Sequence, residues 1–207
     1  MITVRNTFAA MAVALSGLVV LPSAARAEGP WYLNLSAGYL QFQDLDITDD
    51  GTKGTIEYEG GYAINAGVGY RVTKNLRAEL ELGYGSSSID GFKTLGLSFP
   101  MNADVDMWSL TANVFYDFDT GSAFRPYVGL GAGVAHTEIG DAIVAGVPAP
   151  GDESDDFTML GEVGASFDVR PGLALVPAYR YMHVFSSESD TDDSTAHVFK
   201  IGVRFDL

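Results

Sequence analysis

The chain has 207 residues, with 12 Lys and Arg against 27 Asp and Glu, and it contains no cysteine. This length suits a single domain, and the lack of cysteine excludes a fold held together by disulfides. The formal net charge of −15 would repel phosphates, so nucleic acid is excluded as a favourable partner.

The first 27 residues resemble a cleavable export signal. Arg5 supplies a positive charge, the run Phe8 to Leu21 is uncharged and mostly apolar, and the small residue Ala27 closes a site that signal peptidase can cut. The alternative is a membrane anchor, but a spanning helix needs about 20 apolar residues, more than this run supplies. We therefore predict a signal peptide over residues 1–27 and one mature domain over residues 28–207.

Most of the remaining chain alternates apolar and polar residues with a period of two, which is the pattern of strands with one apolar face. No segment has a helical period, and no apolar stretch of the mature chain is long enough for a membrane helix. A membrane protein of this sequence must therefore be a barrel. We predict eight strands, in chain order Trp31 to Phe42, Glu57 to Val72, Leu76 to Gly85, Trp108 to Phe118, Pro126 to Thr137, Phe157 to Arg170, Leu173 to Phe185 and Ala196 to Leu207.

The predicted connections fall into two classes of length. Short turns over 73–75, 119–123 and 170–172 alternate with long loops over 43–55, 86–103, 136–156 and 186–194. Outer-membrane barrels have this layout, with short turns in the periplasm and long loops outside the cell.

The long loops are rich in carboxylates. Clustered oxygens of this kind could bind Ca²⁺ or Mg²⁺, but no run has the spacing of an EF-hand loop, and solvated loop charge is the simpler interpretation. The residues concerned are Asp44, Asp46, Asp49, Asp50, Asp152, Glu153, Asp155, Asp156, Glu188, Asp190, Asp192 and Asp193.

A water-soluble barrel with its apolar face inward would show the same alternation. The polar face here is mostly Gly, Ser, Asn and Ala, whereas a soluble exterior would carry denser charge. Aromatic residues on the apolar face also gather toward strand ends, as they do at membrane interfaces. We therefore predict an all-β fold, an eight-stranded antiparallel up-and-down transmembrane β-barrel in the outer membrane, as a monomer.

Three motifs of the sequence resemble those of a known protein family. The run Phe124 to Val134, the triplet at residues 179–181 and the stretch His197 to Leu207 read FRPYVGLGAGV, YRY and HVFKIGVRFDL. They resemble the R-P-Y-V-G-x-G-x-G stretch, the Y-R-Y strand and the closing strand of small outer-membrane β-barrel proteins: the OmpA membrane domain, OmpX-like and opacity proteins. The resemblance implies outer-membrane lipid, lipopolysaccharide and the barrel-assembly machinery as partners.

The end of the chain departs from that family. Its members usually end in an aromatic residue, which is part of the signal that the barrel-assembly machinery reads. Here the sequence ends in Leu207, and Phe205 is the last aromatic residue on the same face. The resemblance implies an assembly signal formed by Phe199, Ile201, Val203, Phe205 and Leu207.

We expect eight of the charged residues on the polar faces of the predicted strands to point into the barrel. An eight-stranded barrel is just wide enough to be filled by side chains, and a lone buried charge is costly. We therefore predict a paired network in the interior, with the lining of a narrow water-filled pore as the alternative. Glu162 and Arg180 lie about equally far from the turn at 171, so they should be cross-strand partners. The eight residues are Arg77, Glu79, Glu81, Glu162, Asp168, Arg180, Lys200 and Arg204.

His183 is the one candidate for catalysis. The segment around it resembles the active strand of outer-membrane lipid A deacylases, whose motif is H-x-S-N. Here Phe185 stands two residues after the histidine, and Ser186 should point to the opposite face. A nucleophile and its base must come within hydrogen-bonding reach, so we predict no catalytic site, and no metal or cofactor either, and we interpret His183 as an interfacial histidine.

The predicted function is a structural or surface-interaction role. The protein would maintain the envelope, mediate adhesion or act as a surface antigen. Its long acidic loops would do this, with an extracellular ligand of unknown identity. The first alternative is a narrow porin-like channel for small solutes. The second is an enzyme of the lipid A deacylase type.

Overall fold

The computed structural model describes residues 29–49, 52–94, 97–144, 147–186 and 193–207. The predicted signal peptide over residues 1–27 lies outside them. No helix in the described part of the chain is long and apolar enough to cross a membrane. The strands are β1 (Trp31–Phe42), β2 (Leu45–Asp49), β3 (Thr52–Tyr58), β4 (Gly61–Arg71), β5 (Leu76–Thr94), β6 (Leu97–Asp117), β7 (Phe124–Ile139), β8 (Ala142–Val144), β9 (Val147–Ala149), β10 (Asp152–Arg170), β11 (Leu173–Phe185) and β12 (Ser194–Asp206).

Eight of these strands form a closed antiparallel ring in the order β1, β4, β5, β6, β7, β10, β11 and β12. The ring closes where β12 pairs with β1, from Tyr32 opposite Asp206 to Phe42 opposite Ala196. Closure matters because unpaired backbone groups are costly in lipid. The predicted eight-stranded up-and-down barrel and its closing pair of strands are both confirmed.

The two faces of each strand differ as the period of two predicts. Val114 is 52% exposed on the outer face of β6, whereas its neighbour Asn113 is 2% exposed and points into the barrel. The outward aromatic side chains lie in two bands near the strand ends. One band holds the contact between Trp31 and Tyr70, whose ring centroids are 4.9 Å apart.

The short turns all lie at one end of the barrel, which we call the short-turn end. The turn between β10 and β11 contains Pro171 followed by Gly172, whose φ is 75°. Proline presets the first central position of such a turn, and glycine tolerates the positive φ at the second. The opposite end is the long-loop end.

The long connections are built as paired strands, so the prediction of open loops over 86–103 and 136–156 is wrong for much of their length. β5 and β6 stay paired out to Thr94 opposite Leu97. β7 and β10 stay paired out to Ile139 opposite Asp152. These segments are rich in Gly, Ser and Asp, which have low strand propensity, but pairing with a neighbour satisfies their backbone groups.

The first long connection forms a hairpin of its own. β2 pairs with β3, and β3 pairs with the far part of β5, from Tyr58 opposite Ile89 to Gly54 opposite Thr94. The wall formed by β4 and β5 therefore continues beyond the barrel at the long-loop end. A further small hairpin, β8 and β9, lies between β7 and β10.

Candidate functional site

Four charged side chains meet in the middle of the barrel interior. Arg180 Nη2 lies 2.6 Å from Glu162 Oε2, and its Nη1 donates to Glu81. Lys200 Nζ lies 2.9 Å from Glu162 Oε2, and Tyr127 donates its hydroxyl to Glu162 Oε1 at 2.7 Å. The predicted pairing of Glu162 with Arg180 is present, in direct cross-strand register. We call Glu81, Glu162, Arg180 and Lys200 the central bridge.

The central bridge crosses the barrel. Glu81 stands on β5 and Arg180 on β11, and these strands are four positions apart in the ring of eight. Their contact therefore spans the interior from one wall to the opposite wall. Both side chains are only 2% exposed, so the ion pair fills the section of the barrel at that height.

A second group of charges lies nearer the short-turn end. Arg77 Nε donates to Asp117 Oδ2 at 3.0 Å, and Arg77 Nη1 donates to the Tyr32 hydroxyl at 3.1 Å. The Arg77 guanidinium also stacks 3.9 Å from the ring centroid of Phe115. Glu79 accepts a hydrogen bond from an asparagine side chain of β1 and lies 3.7 Å from Arg77. Sequence reasoning missed Asp117 and Tyr32, although both stand on the inward face.

The last two members of the predicted network are placed differently. Arg204 is buried, with its guanidinium 5.2 Å from the ring centroid of Tyr32, and its Nε and Nη2 have no hydrogen-bond partner in the described structure. Asp168 does not join the buried groups. Its side chain is 41% exposed and pairs with Arg125 at 2.6 Å. The prediction that Asp168 belongs to the interior network is therefore wrong, because β10 has reached the mouth of the barrel at that residue.

The mouth at the short-turn end is a cavity of about 390 Å³. Arginines outnumber carboxylates in its wall. The charged residues that line it are Arg71, Arg125, Arg170, Arg204, Asp168 and Asp206.

The half of the interior nearer the long-loop end contains a large cluster of buried apolar side chains. This cluster, here called the apolar plug, consists of Leu40, Phe42, Ala63, Ile89, Ala103, Val105, Met107, Ala135, Leu160, Met182, Val184, Ala196 and Val198. The sequence predicted an inner face of small and polar residues, so the plug was missed. Leu40 and Phe42 do alternate with outward residues, but they lie in a strand whose Gly and Ala residues obscure the pattern.

His183 lies on the outer face of β11 near the long-loop end. Its Nε2 is 3.1 Å from Asp193 Oδ2, and its Nδ1 is 3.2 Å from Thr195 Oγ1. Ser186 uses its backbone N–H to donate to Asp193 Oδ1 at 3.0 Å. The hydroxyl nearest to the histidine in these contacts is therefore that of Thr195, which sequence reasoning did not consider.

Four residues of the predicted assembly signal share the outer face of β12, and the fifth, Leu207, follows the strand. Phe199 and Ile201 are among the exposed large apolar side chains. Phe205 stands between Leu33 of β1 and Leu173 of β11 in the register. Their role in assembly stays a prediction.

Part of the predicted acidic surface lies outside the described residues, namely Asp50, Glu188, Asp190 and Asp192. Asp152, Glu153, Asp155 and Asp156 all lie in β10, where it projects toward the long-loop end.

The family model of the outer membrane protein beta-barrel domain matches residues 10–206. The chain belongs to this family. As a member it is an outer-membrane β-barrel protein, in agreement with the resemblance that its motifs carry.

Individual relatives are more distant. An uncharacterized protein of Brucella abortus is 26% identical over 230 residues, covering 84% of this chain and 81% of that protein. A putative adhesin of Rickettsia conorii is 25% identical over 190 residues, covering 84% of this chain and 76% of the adhesin. The crystal structure of Neisserial surface protein A has a TM-score of 0.59 at 19% identity, with 86% of this chain and 97% of that one covered. This structural likeness concerns the fold alone.

Proposed function

We propose that this protein works at the cell surface as an adhesive and structural barrel, and that its interior does not conduct solutes. The observation that carries the proposal is that the interior is filled at two heights. The central bridge spans the barrel at its middle, and the apolar plug occupies the half toward the long-loop end. A solute path would need water through both layers, and an eight-stranded barrel leaves little room beyond its own side chains.

The surface at the long-loop end is suited to binding. Paired strands hold the projecting segments in defined positions, since β5 and β6 continue together to Thr94 and Leu97. The chain carries 27 acidic residues against 12 basic ones, and the long connections hold many of the acidic ones. Charge of one sign steers encounters with partners of the opposite sign. The likeness to the putative adhesin of Rickettsia conorii supports adhesion as the role, and the acidic charge of the chain favours a basic surface as the target.

An attachment assay tests this proposal. Bacteria that display the protein should attach to cultured animal cells more than bacteria with an empty vector. Neutralising Glu188, Asp190 and Asp192 as Glu188→Gln, Asp190→Asn and Asp192→Asn should remove most of the gain. The control is Asp119→Asn in a short turn between β6 and β7, which should attach like the parent. Equal attachment with and without the protein would refute adhesion, and equal attachment with and without the three charges would refute the role of these acidic residues in it.

A further inference from the structure

Four side chains of metal-binding type meet on the outer wall near the long-loop end. His136 and Glu138 stand two residues apart on β7 and so share a face, and Glu153 and Asp155 do the same on β10. The register sets His136 opposite Asp155 and Glu138 opposite Glu153. Ligand atoms of His136, Glu138 and Glu153 all lie within 4.8 Å of one another.

The histidine is already oriented as a metal ligand would be. His136 is only 7% exposed, with Nδ1 2.8 Å from Asp155 Oδ1 and Nε2 3.2 Å from Glu138 Oε1. Histidines that bind metals nearly always donate their other ring N–H to a carboxylate or carbonyl, which fixes the tautomer. Asp155 is placed to accept such a bond from Nδ1. In the metal-free protein Nε2 donates to Glu138, and a metal ion at this position would replace that proton.

The strand register places a row of carboxylates beside the histidine. Asp106 of β6 stands opposite Glu138, and Glu138 stands opposite Glu153, so three neighbouring strands carry carboxylates in one row on one face. Like charges directly opposite each other destabilise a sheet. Tyr84 donates its hydroxyl to Asp106 at 2.7 Å, and a bound cation would lower the repulsion within the row.

We propose that His136, Glu138 and Glu153 bind a divalent transition-metal ion of the Zn²⁺ type, with Asp155 as the positioning residue. The presence of an imidazole ligand indicates which class of metal ion the site would bind. Imidazole nitrogen suits zinc, copper and nickel, whereas sites built from oxygen alone suit calcium and magnesium. Zinc accepts histidine nitrogen and carboxylate oxygen together in four-coordinate sites, and water would complete the coordination here.

Calorimetric titration of Zn²⁺ into tag-free protein refolded in detergent tests the site. The parent should show one saturable site. His136→Gln and Glu153→Gln should each weaken binding by at least about tenfold, and Asp155→Asn by about 10–100-fold, as losses of orienting carboxylates do. Two controls match the ligands in type: His183→Gln replaces another outward histidine, and Asp152→Asn replaces another acidic residue of β10. Both should bind Zn²⁺ like the parent.

Three results would overturn the proposal: Zn²⁺ affinity that His136→Gln leaves unchanged, affinity that His183→Gln abolishes, or Ca²⁺ bound as tightly as Zn²⁺. Heat-modifiable migration in gels first shows that each variant is folded. If one ligand variant does not fold, the other ligand variant decides. The site is independent of adhesion, so neither test depends on the other.

Discussion

Arg180 is the residue on which the interior most depends. It is buried and shared between Glu81 and Glu162, carboxylates that reach it from different strands. Removing one partner of a buried pair leaves an uncompensated charge, so Glu162→Gln should lower the free energy of unfolding by about 3–5 kcal/mol. The double variant Glu162→Gln with Arg180→Met should cost less than the sum of the two single changes. Urea unfolding of the refolded barrel in detergent measures both.

The pair Arg125 and Asp168 provides the matched control. Its geometry is close to that of the buried pair, at 2.6 Å, but both side chains are about 40% exposed. Exposed pairs contribute about 0–1 kcal/mol, so Asp168→Asn should change stability little. Zero coupling between Glu162 and Arg180 in the double-mutant cycle would contradict the account of the central bridge.

The outer face can be tested at a single residue as well. Val114 faces outward on β6, between the aromatic residues Trp108 and Tyr116, so Val114→Arg should cost about 2–4 kcal/mol if its position is near the bilayer midplane. Val169 also faces outward and is 64% exposed, but it lies near the short-turn end of β10. Val169→Arg should cost only about 0–1 kcal/mol, since the cost falls near the interface. A Val114→Arg protein that is folded and soluble without detergent would contradict the membrane orientation.

At the scale of elements, the closing strand β12 determines whether the ring can form. Its outer face ends in Phe205, which stands between Leu33 and Leu173, and Leu207 follows. We predict that Phe205 carries the assembly signal that a terminal aromatic residue carries elsewhere in the family. Phe205→Ala should therefore lower the amount of assembled barrel more than Leu207→Ala does, and Leu207→Phe should be neutral or raise it.

The measurement for the closing strand is the heat-modifiable, folded fraction in outer-membrane preparations. Total expression of each variant serves as the control, because a lower yield of unfolded chain would imitate a failure of assembly. Assembly that is blocked by Leu207→Phe and unaffected by Phe205→Ala would show that this end of the chain has been misinterpreted.

The same elements show how far sequence reasoning reaches. The period of two predicts the strands and their faces because side chains alternate strictly. The pairing of Glu162 with Arg180 was predictable because a short turn at residue 171 fixes the register of β10 on β11. By contrast, His136 and Glu153 are separated by a long connection, and no sequence pattern fixes the register across it. Their meeting therefore becomes visible only in the structure.

The interior was predicted less completely than the wall. Alternation placed most of the charges correctly, but the apolar plug was missed, because inward residues such as Ile89 and Ala103 lie in segments that the sequence assigned to a loop. Asp168 was misplaced for a related reason. Alternation gives the face of a residue, but it does not give the height at which a strand leaves the barrel.

For the whole molecule, the filled interior is the central claim. The two charged groups near the middle and the short-turn end, and the apolar plug toward the long-loop end, together occupy the section of the barrel over most of its height. The molecule then has two accessible surfaces for function, the lipid-facing wall and the projecting strands. The adhesive role and the proposed metal site are both assigned to these surfaces.

Electrical recording across a planar lipid bilayer tests the filled interior most directly. Insertion of the refolded protein is verified separately by protease protection in vesicles of the same lipid. An absence of current then cannot be explained by a bilayer without inserted protein. We predict that the current stays at the baseline of the bare bilayer at applied voltages that leave the bilayer intact. Steady open-channel steps whose number rises with the amount of inserted protein would contradict the account.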